Sequence, residues 1–225
     1  MSSNLSAANL FSVPDMVAVI TGGGTGIGLM MAKALALNGA AKVYILGRRF
    51  EVLQEAAKAS PSGNIIPLQC DVTSKPDLAA AAAQVEKETG YINLLCANSG
   101  ISGPLLSGLK QEPSLKEFKD YCWNWDDAEY TKVYQVNNTS VFFTAVAFLE
   151  LLDAGNKKGN MPDVSSQIIV TASVASYLRV VVTGFAYVSS KAAATSMTKS
   201  LATMLAPYGI RANAIAPGCE CTLPR

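Results

Sequence analysis

The chain has 225 residues, half of them hydrophobic and 16% charged, with 18 Lys and Arg set against 17 Asp and Glu. This composition suits one well-buried α/β domain over residues 1–225 and excludes intrinsic disorder. The balanced charge leaves no basic footprint for nucleic acid. The absence of histidine excludes Ser-His-Asp and Cys-His catalysis.

Residues 1–14 are expected to form a flexible tail, with neither the basic start nor the apolar run of a secretory signal. No apolar run reaches the ~18 residues that span a bilayer, so no membrane partner is expected. The cysteines Cys70, Cys96, Cys122, Cys219 and Cys221 are odd in number and read as reduced thiols of a cytoplasmic protein. Cys219 and Cys221 form a C-x-C pair, but without histidine no metal site is expected.

The first strand, Met16–Thr21, runs into Thr21-Gly22-Gly23-Gly24-Thr25-Gly26-Ile27-Gly28, which opens a helix over Gly26–Asn38. Glycines permit the tight turn and let backbone amides approach a pyrophosphate, whose charge the helix N-terminus stabilises. A turn serving only strand–helix packing is the alternative. The second strand, Lys42–Leu46, ends in Gly47-Arg48-Arg49, with no carboxylate until Glu51. An NAD site would place Asp or Glu there for the ribose hydroxyls, whereas a guanidinium fork matches a 2′-phosphate. NADP(H) is therefore expected in preference to NAD(H), with Arg48 reading the phosphate; the alternative is two solvated arginines.

A helix over Phe50–Ala59 leads to the third strand, Ile65–Cys70, whose Pro67 suits a sheet edge. Ser74 and Pro76 mark the start of a helix over Pro76–Thr89, and Gly39 and Gly90 stand where helices should stop. The fourth strand is Ile92–Ala97. Gly100–Asp127, rich in Gly, Pro and Trp, reads as a substrate-facing loop or a surface insertion. One long helix is expected over Trp125–Asp153, then an exposed connector over Ala154–Val164. Strand Gln167–Thr171, helix Tyr187–Ala206 and strand Arg211–Ile215 complete the pattern. Six strands with helical crossovers predict an α/β fold, a Rossmann-type doubly wound parallel sheet in the order 3-2-1-4-5-6.

Within the last helix, Tyr187 and Lys191 project from one face, four residues apart. A phenol beside an ammonium suits a proton donor and acceptor near neutral pH. Alone, such a pair also occurs by chance on solvated helices.

In their joint order these segments resemble the short-chain dehydrogenase/reductase family, of the common non-extended kind. The glycine loop matches T-G-x-x-x-G-x-G, and Tyr187 with Lys191 matches Y-x-x-x-K. The resemblance implies cofactor-binding roles for Gly22, Thr25, Gly26, Ile27 and Gly28. Cys70-Asp71-Val72 is similar to the segment that contacts the adenine, which nominates Asp71 and Val72. Ala97-Asn98-Ser99-Gly100 is similar to N-N-A-G with its first Asn and its Ala replaced, which nominates Asn98 and Gly100.

Val136-Asn137 resembles the V-N of the family's long helix, with Ser140 where glycine is usual. Asn137 would be the helix-bending residue that supports a proton-relay water. Ile168–Ser173 resembles the strand that ends in the catalytic Ser, here Ser173. Ala216-Pro217-Gly218 resembles the P-G after strand six, and Thr222 fits the threonine that holds the carboxamide.

The implied activity is an NADP(H)-dependent oxidoreductase that interconverts a ketone and a secondary alcohol, of 3-oxoacyl or secondary-metabolite type. Tyr187, Lys191, Ser173 and Asn137 would be catalytic, and Tyr187 and Lys191 would also touch the cofactor. Tyr177, Leu178, Val180, Val181, Val182 and Phe185 point to an apolar small-molecule substrate, or equally to a subunit contact. The sequence ends at Arg225, short of the helical segment and seventh strand usual in the family. The expected consequences are an unprotected strand six, a missing lid, and a homodimer through the long helices in place of a tetramer. The alternative is a truncated, weakly active or inactive member that only binds the dinucleotide.

Overall fold

The computed structural model describes residues 11–161, 164–179, 181 and 183–218. Its centre is a six-stranded parallel sheet in the order 3-2-1-4-5-6. The strands are β1 (Val17–Thr21), β2 (Lys42–Gly47), β3 (Ile65–Gln69), β4 (Leu94–Ala97), β5 (Gln167–Thr171) and β6 (Arg211–Ile215). Pro67 lies on β3 opposite Ile45, its strand having only β2 as neighbour. A residue without an N–H is tolerated there because only one side of the strand must pair.

Alternation along the strands builds a core on each face. Val17, Val19, Tyr44 and Leu46 point one way, onto helices α3 (Lys75–Glu88), α6 (Ser140–Ala147) and α8 (Phe185–Leu205). Ala18, Ile20, Val43 and Ile45 point the other way, onto α1 (Gly26–Leu37) and α2 (Phe50–Ala57). The central strands are buried on both faces, so their sequence is a continuous apolar run. Each fully buried Ile or Leu contributes about 1.5–3 kcal/mol.

Local signals place the helix ends. Ser74 caps α3 by accepting from the Asp77 amide, with Pro76 in the first turn. Gly39 and Gly90 adopt the positive φ that lets the chain turn back after α1 and α3.

Three stretches differ from the sequence expectation. The region over Gly100–Asp127 contains a helix, α4 (Leu115–Trp123), started by a full capping box between Ser114 and Glu117. The expected single helix over Trp125–Asp153 is divided: α5 (Asp127–Tyr134), a π-helical turn (Gln135–Thr139), α6, then a break at Phe148 before α7 (Leu149–Lys158).

The expected connector over Ala154–Val164 is also partly helical. Asn156, on α7, donates to the carbonyls of Tyr208 and Gly209 at 3.3 and 3.1 Å and accepts from the Ser166 amide at 2.7 Å. Beside it, Gly155 is buried against the carbonyl of Ile92. Among the described residues no helix is long and apolar enough to cross a membrane.

A Cβ at Gly155 would press into the Ile92 carbonyl and stand 2.8 Å from Ser166 Oγ. Alanine in a helix normally gains about 1 kcal/mol over glycine, but here the clash dominates. Gly155→Ala is expected to destabilise by about 1–3 kcal/mol in urea denaturation.

Candidate active site

The carboxyl ends of the strands open into one cavity of about 770 Å³. Its floor begins where β1 ends. The Gly22 amide donates to the Leu46 carbonyl at 2.7 Å, which turns the glycine loop across the end of β2. Gly22 has φ +66°, a left-handed conformation that favours glycine. A Cβ at Gly28 would strike the Gly22 carbonyl and lie 2.6 Å from Asn98 Nδ2, so only glycine lets α1 start so close to β1 and β4. No side chain caps the N-terminus of α1 and no acidic residue lies in its first turn, so its amides are open to an anion.

Asn98 ties three strands together. Its amide nitrogen Nδ2 donates to the Thr21 carbonyl at 3.1 Å, and its Oδ1 accepts from Thr171 Oγ1 at 3.0 Å. Its backbone N–H and that of Ser99 both donate to Thr21 Oγ1, at 2.9 and 3.1 Å.

Arg48 and Arg49 stand exposed on the cavity wall after β2, neither with a carboxylate partner among the described residues. Asp71 and Val72 line the wall after β3. Asp71 Oδ1 accepts from the N–H and Oγ1 of Thr73 at 2.9 and 2.8 Å.

On the opposite wall, Ser173 caps a short 3₁₀ turn, its buried Oγ accepting from the Ala175 amide at 3.1 Å. Tyr187 lies in the first turn of α8, and Lys191 one turn later. The Lys191 ammonium is 5.8 Å from the centre of the Tyr187 ring and donates to the Thr171 carbonyl at 2.6 Å. Burial pushes its pKa down to about 8. Pro217 and Gly218 close this side, the Pro217 carbonyl accepting from the Val174 amide at 3.0 Å.

Asn137 is fully buried in the π-helical turn and is absent from the cavity wall. Its Oδ1 accepts from the Ile101 amide at 2.8 Å, and its Nδ2 donates to the Ile101 carbonyl at 2.9 Å and to Ser190 Oγ at 3.0 Å. The side chain thus joins the turn after β4 to α8. Gly100 fits between them: a Cβ there would stand 3.3 Å from Asn137 Oδ1 and 3.4 Å from Lys191 Nζ.

The structure therefore brings together on one cavity Gly22, Thr25, Ile27, Arg48, Asp71, Val72, Asn98, Gly100, Ser173, Tyr187, Lys191, Pro217 and Gly218. Gly28 packs behind the loop, and Gly26, exposed with φ +52°, opens α1; neither lines the cavity. Thr222, Val180, Val182, Cys219 and Cys221 lie outside the described residues.

Of the stretch over Gly100–Asp127, only Gly100, Ile101 and Ser102 reach the cavity. Beyond them, Phe118 and Trp125 pack on the start of α8, each 6.4 Å from Phe185 between ring centres, while Leu115 and Trp123 are exposed. Leu178 lines the cavity, whereas Tyr177 and Phe185 do not. Lys132, Gln135 and Thr183 also line it and were not singled out by sequence. The only sequence signal for Thr183 is its position four residues before Tyr187.

A family model described as short chain dehydrogenase matches residues 16–222. The chain is 52% identical over 219 residues to short-chain dehydrogenase/reductase PhomF of Diaporthe leptostromiformis, covering 97% of this chain and 74% of that protein. It is 48% identical over 234 residues to short-chain dehydrogenase/reductase VdtF of Byssochlamys spectabilis, covering 95% and 76%. Among solved structures, the Pseudomonas aeruginosa RhlG/NADP active-site complex superposes with a TM-score of 0.77 at 28% identity, covering 92% of this chain and 74% of that one.

The buried ammonium of Lys191 has a testable energetic consequence. Its folded pKa, about 8, lies below the ~10.4 of a free lysine, so the unfolded chain holds the proton more tightly. The Lys191 contribution to stability should therefore rise between about pH 8 and pH ~10.4, against the buried thiols of Cys70 and Cys96, whose raised pKa values act the other way in wild type and variant alike. Lys191→Met removes the buried charge and is expected to melt above wild type at pH 7, the gap narrowing across that window in calorimetric scans.

Proposed function

The chain belongs to the short-chain dehydrogenase/reductase family and is an oxidoreductase by that membership; on this premise we propose that it interconverts a ketone and a secondary alcohol with NADP(H). The observation that carries the reading is the convergence of Ser173, Tyr187 and Lys191 on the cavity that the glycine loop opens.

The residues present fit a nicotinamide dinucleotide. The glycine cradle and the uncapped start of α1 would take the pyrophosphate, Asp71 and Val72 the adenine, and Asn98, Gly100, Pro217 and Gly218 the nicotinamide half. Thr222, outside the described residues, would hold the carboxamide. When bound, the nicotinamide supplies or accepts the hydride. The finer preference for NADP(H) over NAD(H) rests on Arg48, a guanidinium with no carboxylate partner among the described residues, where an NAD enzyme would place a carboxylate. The RhlG complex to which the fold is similar contains NADP.

In the direction of reduction, Tyr187 donates its phenolic proton to the substrate oxygen. Ser173 Oγ already accepts from the Ala175 amide, so its hydroxyl hydrogen is available to the same oxygen, where it stabilises developing negative charge. Lys191 spends one N–H on the Thr171 carbonyl and has two more for the cofactor ribose and for the field at Tyr187.

Asn137 acts as a positioning residue: it holds Ile101 on one side and Ser190 on the other. Ser190 in turn donates to the Tyr187 carbonyl at 2.8 Å. The apolar wall at Leu178 and Ala175 supports a substrate with an apolar body. Phe142 and Val146, four residues apart on α6 and 42% and 45% exposed, support a homodimer through this face.

Titration of the purified chain with NADPH and NADH, followed by cofactor fluorescence, tests the cofactor assignment. NADPH should bind at least about tenfold more tightly, and Arg48→Ala should erase the difference, because a hydrogen bond to a charged group is worth about 1.5–3 kcal/mol. Equal affinities in the wild type would remove the NADP assignment. Tyr187→Phe should keep cofactor binding while kcat falls by about 10²–10⁴.

A further inference from the structure

The side chains that meet on the cavity wall ride on different elements. Tyr187 and Lys191 sit on α8, whereas Ser173 opens the 3₁₀ turn Val174–Ser176 that follows β5. Backbone bonds fasten this turn on one side only. The Ala172 amide donates to the Ile215 carbonyl at 2.8 Å, and the Val174 amide donates to the Pro217 carbonyl at 3.0 Å. Both acceptors lie at the end of β6 or just after it, so these bonds do not fix the turn against α8.

A pair of hydroxyls does. Ser176 Oγ lies 3.2 Å from Oγ1 of Thr195, which stands one helical turn after Lys191. Among the described residues this is the one hydrogen bond between the turn and α8. Its direction follows from the next bond along. Buried Thr195 gives its hydroxyl hydrogen to the Lys191 carbonyl at 2.9 Å, so its oxygen accepts and Ser176 donates. The series thus runs from the serine turn into the backbone of the lysine, each bond polarising the next. Val174 and Ala175 line the cavity, but Ser176 and Thr195 stand behind its wall.

We infer that Thr195, acting through Ser176, is a positioning residue that sets the Ser173 hydroxyl against the Tyr187–Lys191 pair. The inference rests on the dehydrogenase reading of the site and adds the tie that keeps its two halves in register. Loss of the tie is then felt in turnover and not in cofactor affinity.

Reduction of cyclohexanone and 1-tetralone with NADPH is compared in wild type, Thr195→Val, Thr195→Ser, Ser176→Ala and the Thr195→Val/Ser176→Ala double variant. Valine keeps the shape of threonine and removes the hydroxyl; serine keeps the hydroxyl. Thr195→Val and Ser176→Ala should each lower kcat about fivefold or more, because misplacing a reacting group is costly in rate. NADPH affinity should stay at the wild-type value, and Thr195→Ser should restore kcat. The double variant should lose no more than the worse single one, since all three remove the same contact. A merely structural role would lower the melting temperature and leave kcat intact well below it. A smaller fall in kcat, a matching loss of NADPH affinity, losses that multiply in the double variant, or a serine variant as slow as the valine one overturns the inference.

If wild type reduces neither ketone with NADPH or NADH, that result counts against the ketoreductase reading, and amide hydrogen exchange over residues 172–178 decides the tie. The amides of Ala172, Val174, Ser176 and Tyr177 are all hydrogen-bonded, so their exchange reports opening of the turn. Thr195→Val should speed it about fivefold, as loss of one hydrogen bond predicts, with β1 and β4 unchanged and Thr195→Ser like wild type. Equal exchange in wild type and the valine variant, or a rise shared by the whole sheet, overturns it.

Discussion

Parallel strands that end together leave a row of backbone groups with no ladder to join, and in this protein Asn98 and Thr21 satisfy them. Between them, one side-chain amide and one hydroxyl bind the ends of β1, β4 and β5. The middle of the cavity is referred to this knot. The glycine loop leaves from Thr21, the turn carrying Gly100 and Ile101 leaves from Asn98, and Thr171 is both a partner of Asn98 and the acceptor for Lys191. The contact between Gly28 and Asn98 Nδ2 extends the same reference to α1. Position in the site is thus inherited from strand ends, which are rigid, and not from the loops themselves.

Lys191 stands at the other extreme of the energetics. It is a cation removed from water, with one carbonyl acceptor and no carboxylate partner among the described residues. Removing an ion from water without an opposite charge is unfavourable, and the depressed pKa expresses that penalty. Such a group is tolerable in a cavity whose ligand brings negative charge and oxygen acceptors. The stability given up by the empty protein and the affinity gained for an anionic ligand are then two sides of one term.

Legibility from sequence followed the range of the interactions involved. The glycine loop, the sheet order and the edge position of Pro67 were readable because they rest on local geometry and a period of two. The division of the long helix was not readable from local composition, although the family resemblance named Asn137 as the residue that bends it. Gln135–Thr139 contains neither glycine nor proline; the π-helical turn holds Asn137, whose bonds to Ile101 and Ser190 come from distant parts of the chain. Helix α4 was hidden differently: the Ser114–Glu117 capping box was present, but the surrounding Gly and Pro obscured it. Among the nominated site residues, those after strands were placed by the strands themselves.

The π-helical turn also counts residues. The Ser140 amide reaches back five positions, to Gln135, so the turn holds one residue more than an α-helix would. Each helical residue advances the chain by about 100° around the axis. Deleting any one of the five would let α5 and α6 fuse into a regular helix, turning the upstream half by that angle. Val133 would swing off Gly103 and Tyr134 off Ser189. Shortening by a single residue here is therefore a rotation of one wall of the cavity, whereas exchanging the exposed Thr139 side chain leaves the count intact.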